Sequence, residues 1–75
     1  MRIADLTSGA ARLRDQTDVL IATWGETREH WNDANSRNLE EHHLNPVAED
    51  VSAALAAVRH LAEVLDKAQR ACEAW

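Results

Sequence analysis

Apolar side chains recur along the first part of the chain at alternating spacings of three and four residues, which is a heptad pattern. The stripe consists of Ile3, Leu6, Ala10, Leu13, Thr17, Leu20, Trp24, Thr27, Trp31, Ala34 and Asn38. This spacing places every member on one side of an α-helix. The abundance of alanine, against two glycines and one proline, also favours helix throughout. The pattern therefore predicts an all-α chain that begins with a long amphipathic helix.

Pro46 interrupts this pattern, because proline has no backbone N–H and biases the preceding residue, Asn45, away from helical dihedral angles. The same pair suits a helix start, with Asn45 as N-cap and Pro46 in the first turn. The heptad then resumes through Val47, Val51, Ala54, Val58, Leu61, Leu65, Ala68, Cys72 and Trp75. We therefore predict a single domain, residues 1–75, folded as an antiparallel two-helix hairpin with helices at about 3–43 and 46–74.

A turn near residue 45 would leave the start of the longer first helix without a partner in its own chain. We expect its apolar residues to form an oligomer interface, which consists of Ile3, Leu6, Leu13 and Leu20. A 75-residue chain is close to the lower limit for independent folding, and the single cysteine excludes an internal disulfide. Pairing of two hairpins into a four-helix bundle would bury this surface, so the expected partner is a second copy.

The segment WGETREHW, residues 24–31, places two tryptophans seven residues apart at equivalent heptad positions. One interpretation is a packing seam, in which the large rings fill space against the alanine-rich second helix. The other is a partner-binding surface, because the segment that follows is polar with isolated aromatic anchors, and Trp and Arg dominate interface hot spots. The predicted partner-binding residues are Trp24, Arg28, Trp31, Asn35 and Leu39.

A metal site is the alternative for the same region. Glu40 and His43 have the i, i+3 spacing of the Glu-x-x-His element of carboxylate-bridged bundles, and Glu26 and His30 lie four residues apart. Carboxylate and imidazole groups of this kind can bind zinc or iron if they face inward. The chain contains no second Glu-x-x-His, so such a site would lie at an oligomer interface. The main prediction contains no metal and no other cofactor.

Composition excludes several classes of function. The net charge is −5 and the basic residues are scattered, which argues against a nucleic-acid partner. No apolar run approaches the roughly 20 residues of a membrane span, and the start lacks the apolar core of a signal peptide. Cys72 lies on the apolar stripe, so we expect a buried thiol rather than a nucleophile. No catalytic motif is present, and a single thiol fits a cytoplasmic location.

This short acidic helix–turn–helix chain, with Trp24 and Gly25 in its first helix, resembles the Trp-x-Gly family of helical hairpins. The resemblance implies pairing into four-helix bundles and a role as a type VII secretion substrate or adaptor. Two features depart from the family: Gly25 directly follows Trp24 ahead of the predicted turn, and the chain has no tyrosine for the C-terminal export signal. From the sequence we predict a non-enzymatic helical interaction or adaptor protein that self-associates through its heptad seams.

Overall fold

The computed structural model describes residues 2–73 and shows two helical arms that lie antiparallel. The elements are α1 (Ile3–His30), α2 (Ala34–Leu39), a π-helix (Glu40–Leu44) and α3 (Asn45–Glu73). The last three follow one another without a break and form the second arm, residues 34–73. No strand occurs between residues 2 and 73. The predicted all-α helical hairpin is therefore confirmed, while position 74 of the predicted second helix lies outside the described residues.

The chain reverses at residues 31–33, and the prediction of a turn at Asn45 and Pro46 is wrong. Trp31 leaves α1 with an extended backbone, φ −139° and ψ 94°. Asp33 then starts α2 through a capping box, in which its carboxylate accepts from the Ser36 N–H and the Ser36 hydroxyl accepts from the Asp33 N–H. These reciprocal bonds satisfy backbone donors that a helix start leaves free. The first helix therefore ends at residue 30, not 43.

Pro46 lies in the first turn of α3, and the helical path continues through it because the turn before it is a π-helix. In an α-helix a proline ring clashes with the carbonyl four residues earlier, and the missing N–H leaves that carbonyl without a donor. A π-turn is wider and pairs residues five apart, as in the bond from the Asn45 N–H to the Glu40 carbonyl. The wider turn relaxes the crowding ahead of the ring, so this proline does not end the helix.

The earlier turn reverses which end of the hairpin is unpaired. The 28 residues of α1 pair along their length, since Trp24 meets Glu40 near the turn and Ala10 shares a groove with Ala62 near the other end. Ile3 and Leu6 are half-buried, so they are not part of an unpaired overhang. The second arm is longer by about three turns. The residues that extend beyond the hairpin are therefore the last turns of α3.

The side of the second arm that faces α1 follows a heptad, rotated by one position from the predicted one. Its half-buried or buried members are Leu44, Ala48, Val51, Leu55, Val58, Ala62 and Leu65. The predicted stripe shares Val51, Val58 and Leu65. Its other described members are exposed, namely Val47, Ala54, Leu61, Ala68 and Cys72, and position 75 lies outside the described residues. Alanines at 48 and 62 let the two helix backbones approach closely, which explains why this column forms the seam.

Two polar positions on the α1 stripe are satisfied within the helix itself. The Thr17 hydroxyl donates to the Leu13 carbonyl at 2.7 Å, and the Thr27 hydroxyl donates to the Thr23 carbonyl at 2.9 Å. A threonine that bonds back to its own helix presents mainly its methyl group to a neighbouring helix. These residues can therefore lie on the seam without a partner from the second arm.

The hairpin is elongated and has almost no interior. Its radius of gyration is 17.7 Å, against about 11 Å for a compact domain of this length. Among residues 2–73 only Ser36 and Ala62 are buried, with 2% and 9% of their surface exposed. Every large apolar side chain in this range retains contact with solvent. In a hairpin of two helices, each seam residue is covered only by the one helix that faces it, and its other sides remain open to solvent.

Replacement of Gly25 by alanine should stabilise the hairpin. A Cβ atom at this position would meet nothing within 4 Å, so the glycine is not needed for close approach inside the hairpin. Alanine lowers the conformational entropy of the unfolded chain, and we expect a gain of about 0.5–1 kcal/mol in unfolding free energy. Urea denaturation followed by circular dichroism, at fixed protein concentration, measures it.

Gly9→Ala is the matched control, because its surroundings are equally open. The two variants should give similar gains. A loss of stability in Gly25→Ala alone would contradict the open environment at residue 25.

Candidate functional site

Glu40 is the centre of the polar cluster that joins the two arms at the closed end of the hairpin. Its Oε1 atom accepts from Trp24 Nε1 at 2.9 Å and from an Arg28 guanidinium nitrogen at 2.8 Å. The Glu40 side chain is 22% exposed, while that of Arg28 is 49% exposed. A charged acceptor in a partly desolvated position strengthens both bonds. We name Trp24, Arg28, Trp31 and Glu40 the tryptophan cluster.

The two tryptophans of the cluster contact each other edge to face. Their ring centroids are 5.9 Å apart and the ring planes meet at 83°, a favourable geometry for aromatic pairs. Trp24 is half-buried, whereas 38% of Trp31 remains exposed and its Nε1 donates to Asp33 Oδ2 at 3.0 Å. Trp24 therefore packs as a seam residue, and Trp31 covers it from the side of the turn.

Asp33 connects the cluster to the start of the second arm. The Ser36 backbone N–H is the main cause that lowers the pKa of the Asp33 carboxyl below its ordinary value of 3.8, and the Trp31 indole and the Arg37 charge act in the same direction. The ionised carboxylate is therefore the form that stabilises the turn. An aspartate at the N-cap also interacts favourably with the positive end of the helix dipole.

The structure brings together three of the five predicted partner-binding residues, Trp24, Arg28 and Trp31. Asn35 is exposed in the first turn of α2, and Leu39 is half-buried at its last residue. Sequence reasoning assigned Glu40 to a metal set and missed its role as the shared acceptor. The i, i+4 spacing of Trp24 and Arg28 indicates that they share a helix face, but only the position of the turn shows that Glu40 lies opposite them.

The four residues of the predicted metal alternative do not form a site within one chain. The Glu40 carboxylate is engaged by Trp24 and Arg28, while Glu26, His30 and His43 are exposed. Over residues 2–73, no group of three or more His, Cys, Asp or Glu side chains is placed to hold a metal ion. The thiol of Cys72 is exposed rather than buried, because the last turns of α3 have no facing helix.

Two concave surfaces lie between the arms. A small cavity of about 160 Å³ near the turn is lined by Leu20, Trp24, Leu44 and Val47, among others. The larger is an open groove of about 620 Å³, which we name the alanine groove. It is lined by Thr7, Ala10, Ala11, Arg14, Ser52, Leu55, Ala56, Val58, Arg59, Ala62, Glu63 and Asp66. Four charged side chains line it, so it is not an apolar binding cleft.

Apolar side chains are also exposed outside these cavities. Of the predicted oligomer-interface residues, Leu13 and Leu20 are 42% and 45% exposed on α1. On α3, Val47 and Leu61 are exposed to a similar degree, 46% and 44%. We name these four residues the leucine face. The prediction from the sequence placed Val47 and Leu61 in the hairpin seam, where the structure does not place them.

Comparison with known proteins gives no assignment, since no family model, no curated protein and no solved structure matches the chain. Function must therefore be inferred from the geometry. Within residues 2–73, no helix combines the length and the apolarity needed to cross a membrane.

Removal of the Glu40 carboxylate should destabilise the closed end of the hairpin. Glu40→Ala leaves Trp24 Nε1 without its acceptor and Arg28 without its ion pair, so we expect a loss of about 1–2 kcal/mol in unfolding free energy. Glu40→Gln keeps an acceptor oxygen for the indole but loses the charge, and it should fall between wild type and alanine. Denaturation at fixed concentration provides the comparison.

Glu41→Ala is the control, because Glu41 is the adjacent exposed residue of the same π-helix. It should leave stability nearly unchanged. Equal effects of Glu40→Ala and Glu41→Ala would mean that the cluster contributes nothing.

The Asp33 cap predicts an acid-sensitive turn. Since the folded-state pKa lies below the unfolded value near 3.8, the cap contributes its full stabilisation above that pH and loses it as pH falls through the folded pKa. Asp33→Asn retains a good N-cap that does not titrate. Thermal midpoints measured from pH 6 to about pH 2 should therefore fall more steeply for wild type than for Asp33→Asn. Parallel curves would contradict the role of the ionised carboxylate.

Proposed function

We propose that this protein is a non-enzymatic helical interaction module that self-associates, with two or more hairpins packing into a helical bundle. The observation that carries the proposal is the lack of a hydrophobic interior, since no large apolar side chain among residues 2–73 is buried. A folded chain of this size is marginal even with an ordinary core. Two-helix hairpins gain an enclosed core when a second pair of helices covers the open side of the seam.

The exposed residues support association of this kind. Eight large apolar side chains in the described range are between 38% and 56% exposed. Complete burial of a leucine or valine stabilises by about 1.5–3 kcal/mol, so each half-exposed side chain retains about 1 kcal/mol to be gained on association. Scattered exposed leucines are ordinary, but a heptad-spaced set on two adjacent helices is typical of an interface.

The polar side chains support a structural rather than a catalytic role. Ser36, the buried hydroxyl among residues 2–73, is held by the capping box. Glu40 and Arg28 neutralise each other in the tryptophan cluster. Asp66, which lines the alanine groove, pairs with Arg70 at 3.2 Å. These groups therefore hold the arms and the surface together.

Sedimentation velocity on the untagged chain tests the proposal. We expect a concentration-dependent dimer or larger species at micromolar protein, with thermal stability that rises with concentration because association stabilises the folded state. A chain that stays monomeric and cooperatively folded across this range would overturn the proposal.

A further inference from the structure

The leucine face lies on one side of the hairpin, away from the alanine groove. Leu13 and Leu20 are seven residues apart on α1, and Val47 and Leu61 are separated by two heptads on α3 with Ala54 midway between them. A seven-residue step returns to nearly the same side of a helix. None of these five residues lines the alanine groove, and Leu20 and Val47 line the same small cavity. The two stripes are therefore neighbours on a common side.

The antiparallel register arranges these stripes as a ladder. A step of seven residues toward the start of α1 matches a step of seven toward the end of α3. Leu20 and Val47 line the same cavity, and if they are taken as one level, Leu13 comes level with Ala54 and Leu6 comes level with Leu61. The three levels are about 10 Å apart. The outer levels each carry two large side chains, whereas the middle level pairs a leucine with an alanine.

We propose that the leucine face binds the leucine face of a second copy, with α1 of each copy lying over α3 of the other at the same level. This arrangement rests on the self-association proposed above and specifies its surface and geometry. It places Leu13 of one copy over the small Ala54 of the other, twice in each dimer. A large side chain facing a small one fills space without a clash.

The alternative twofold axis runs across the helices and stacks identical helices on each other. It would set Leu13 against Leu13 and leave a gap between the two Ala54 residues. The proposed axis runs along the helices instead. Both axes make every neighbouring pair of helices antiparallel, as in up-down-up-down four-helix bundles, so the side chains that meet at the middle level distinguish them. The difference in size between Leu13 and Ala54 at the middle level therefore favours this orientation of the second copy.

The charge around the face agrees with an interface between copies. The positions that flank the stripes include Gly9, Gln16 and Thr23 on α1 and Ala57 on α3, all uncharged, with Arg2 and Asp50 as the charged exceptions. The alanine groove, in contrast, is lined by two arginines and two acidic residues. Depletion of charge at the centre is the compositional mark of protein interfaces.

The size of the face is sufficient for a stable dimer. The 28 residues of α1 span about 42 Å, and the hairpin is 17 Å across its second dimension. Contact over this footprint would cover roughly 700 Å² on each copy, or about 1,400 Å² in total, which falls in the usual range for specific interfaces.

Cysteine cross-linking tests the orientation. In a Cys72→Ser background, chains carrying Leu13→Cys and chains carrying Ala54→Cys are unfolded together, refolded and oxidised, with one chain tagged so that products differ in mass. We expect a mixed disulfide dimer on a non-reducing gel, because the two positions face each other closely enough for a disulfide. Each variant alone should stay uncross-linked, since its copies lie diagonally across the bundle. Self-cross-linking of Leu13→Cys alone, or no mixed product, would overturn the arrangement.

Leu13→Glu tests the surface, with Val19→Glu as its matched control on the same helix. Val19 is 56% exposed and lies about 100–120° around α1 from Leu20 and Leu13, outside the leucine face. We expect Leu13→Glu to weaken dimerisation on the order of 100-fold, because two unpaired carboxylates would be buried, and Val19→Glu to leave it unchanged. A wild-type dimer that tolerates Leu13→Glu would overturn this surface and leave self-association standing, whereas a monomeric wild type would overturn both.

Discussion

The reciprocal hydrogen bonds between Asp33 and Ser36 determine where the chain reverses, and the reversal determines which residues of the two arms stand level. A capping box satisfies free backbone donors at a helix start and so favours one starting residue over its neighbours. From this position follow the meeting of Glu40 with Trp24, the half-burial of Ile3 and Leu6, and the extension of α3 beyond α1. A turn at Pro46 would have changed all three.

The tryptophan cluster gives this reversal a tertiary anchor. Glu40 joins α1 to the second arm through a residue pair sixteen positions apart, and Trp31 ties the same cluster to the cap through Asp33. The π-helix begins at Glu40 and directly precedes Pro46. A single wide turn thus lies beside the arm-to-arm hydrogen bonds and ahead of the proline. Four residues of the polar stretch after Trp24 belong to this local network, namely Arg28, Asp33, Ser36 and Glu40.

The hairpin has one seam and nothing to cover its outer sides, which links its architecture to its proposed function. The only buried positions in the range 2–73 are a serine and an alanine, so the larger apolar residues gain little from folding alone. The leucine face, which has few charges around it, is the surface that we propose another hairpin covers. In the proposed assembly, folding and association would be parts of one process, as they are in many obligate oligomers.

The helical content, the spacing of the stripes and the hairpin topology could be predicted from the sequence, because they depend on local backbone preference and on a period that survives any arrangement of the arms. Most of the predicted stripe on α1, including Trp24, is half-buried on the seam as its heptad positions indicate, whereas Leu13 and Leu20 are exposed and the predicted members after residue 30 lie outside α1. The Asp33 and Ser36 pair carried a helix-start signal that competed with the stronger punctuation of Asn45 and Pro46. Two local signals of this kind cannot be ranked without the contacts that each turn would create.

The tertiary structure alone decided the rest. It placed the reversal at residues 31–33, selected Ala48, Leu55 and Ala62 for the seam over Val47, Ala54 and Leu61, and gave Glu40 two donors from the opposite helix. Each outcome depends on contacts between side chains that are far apart in the chain. The heptad spacing of the apolar residues is the same in every register of the two arms, so it cannot predict these contacts. The sequence alone determined two amphipathic arms, and the free energy of packing and capping between them determined where they fold and which faces remain for a partner.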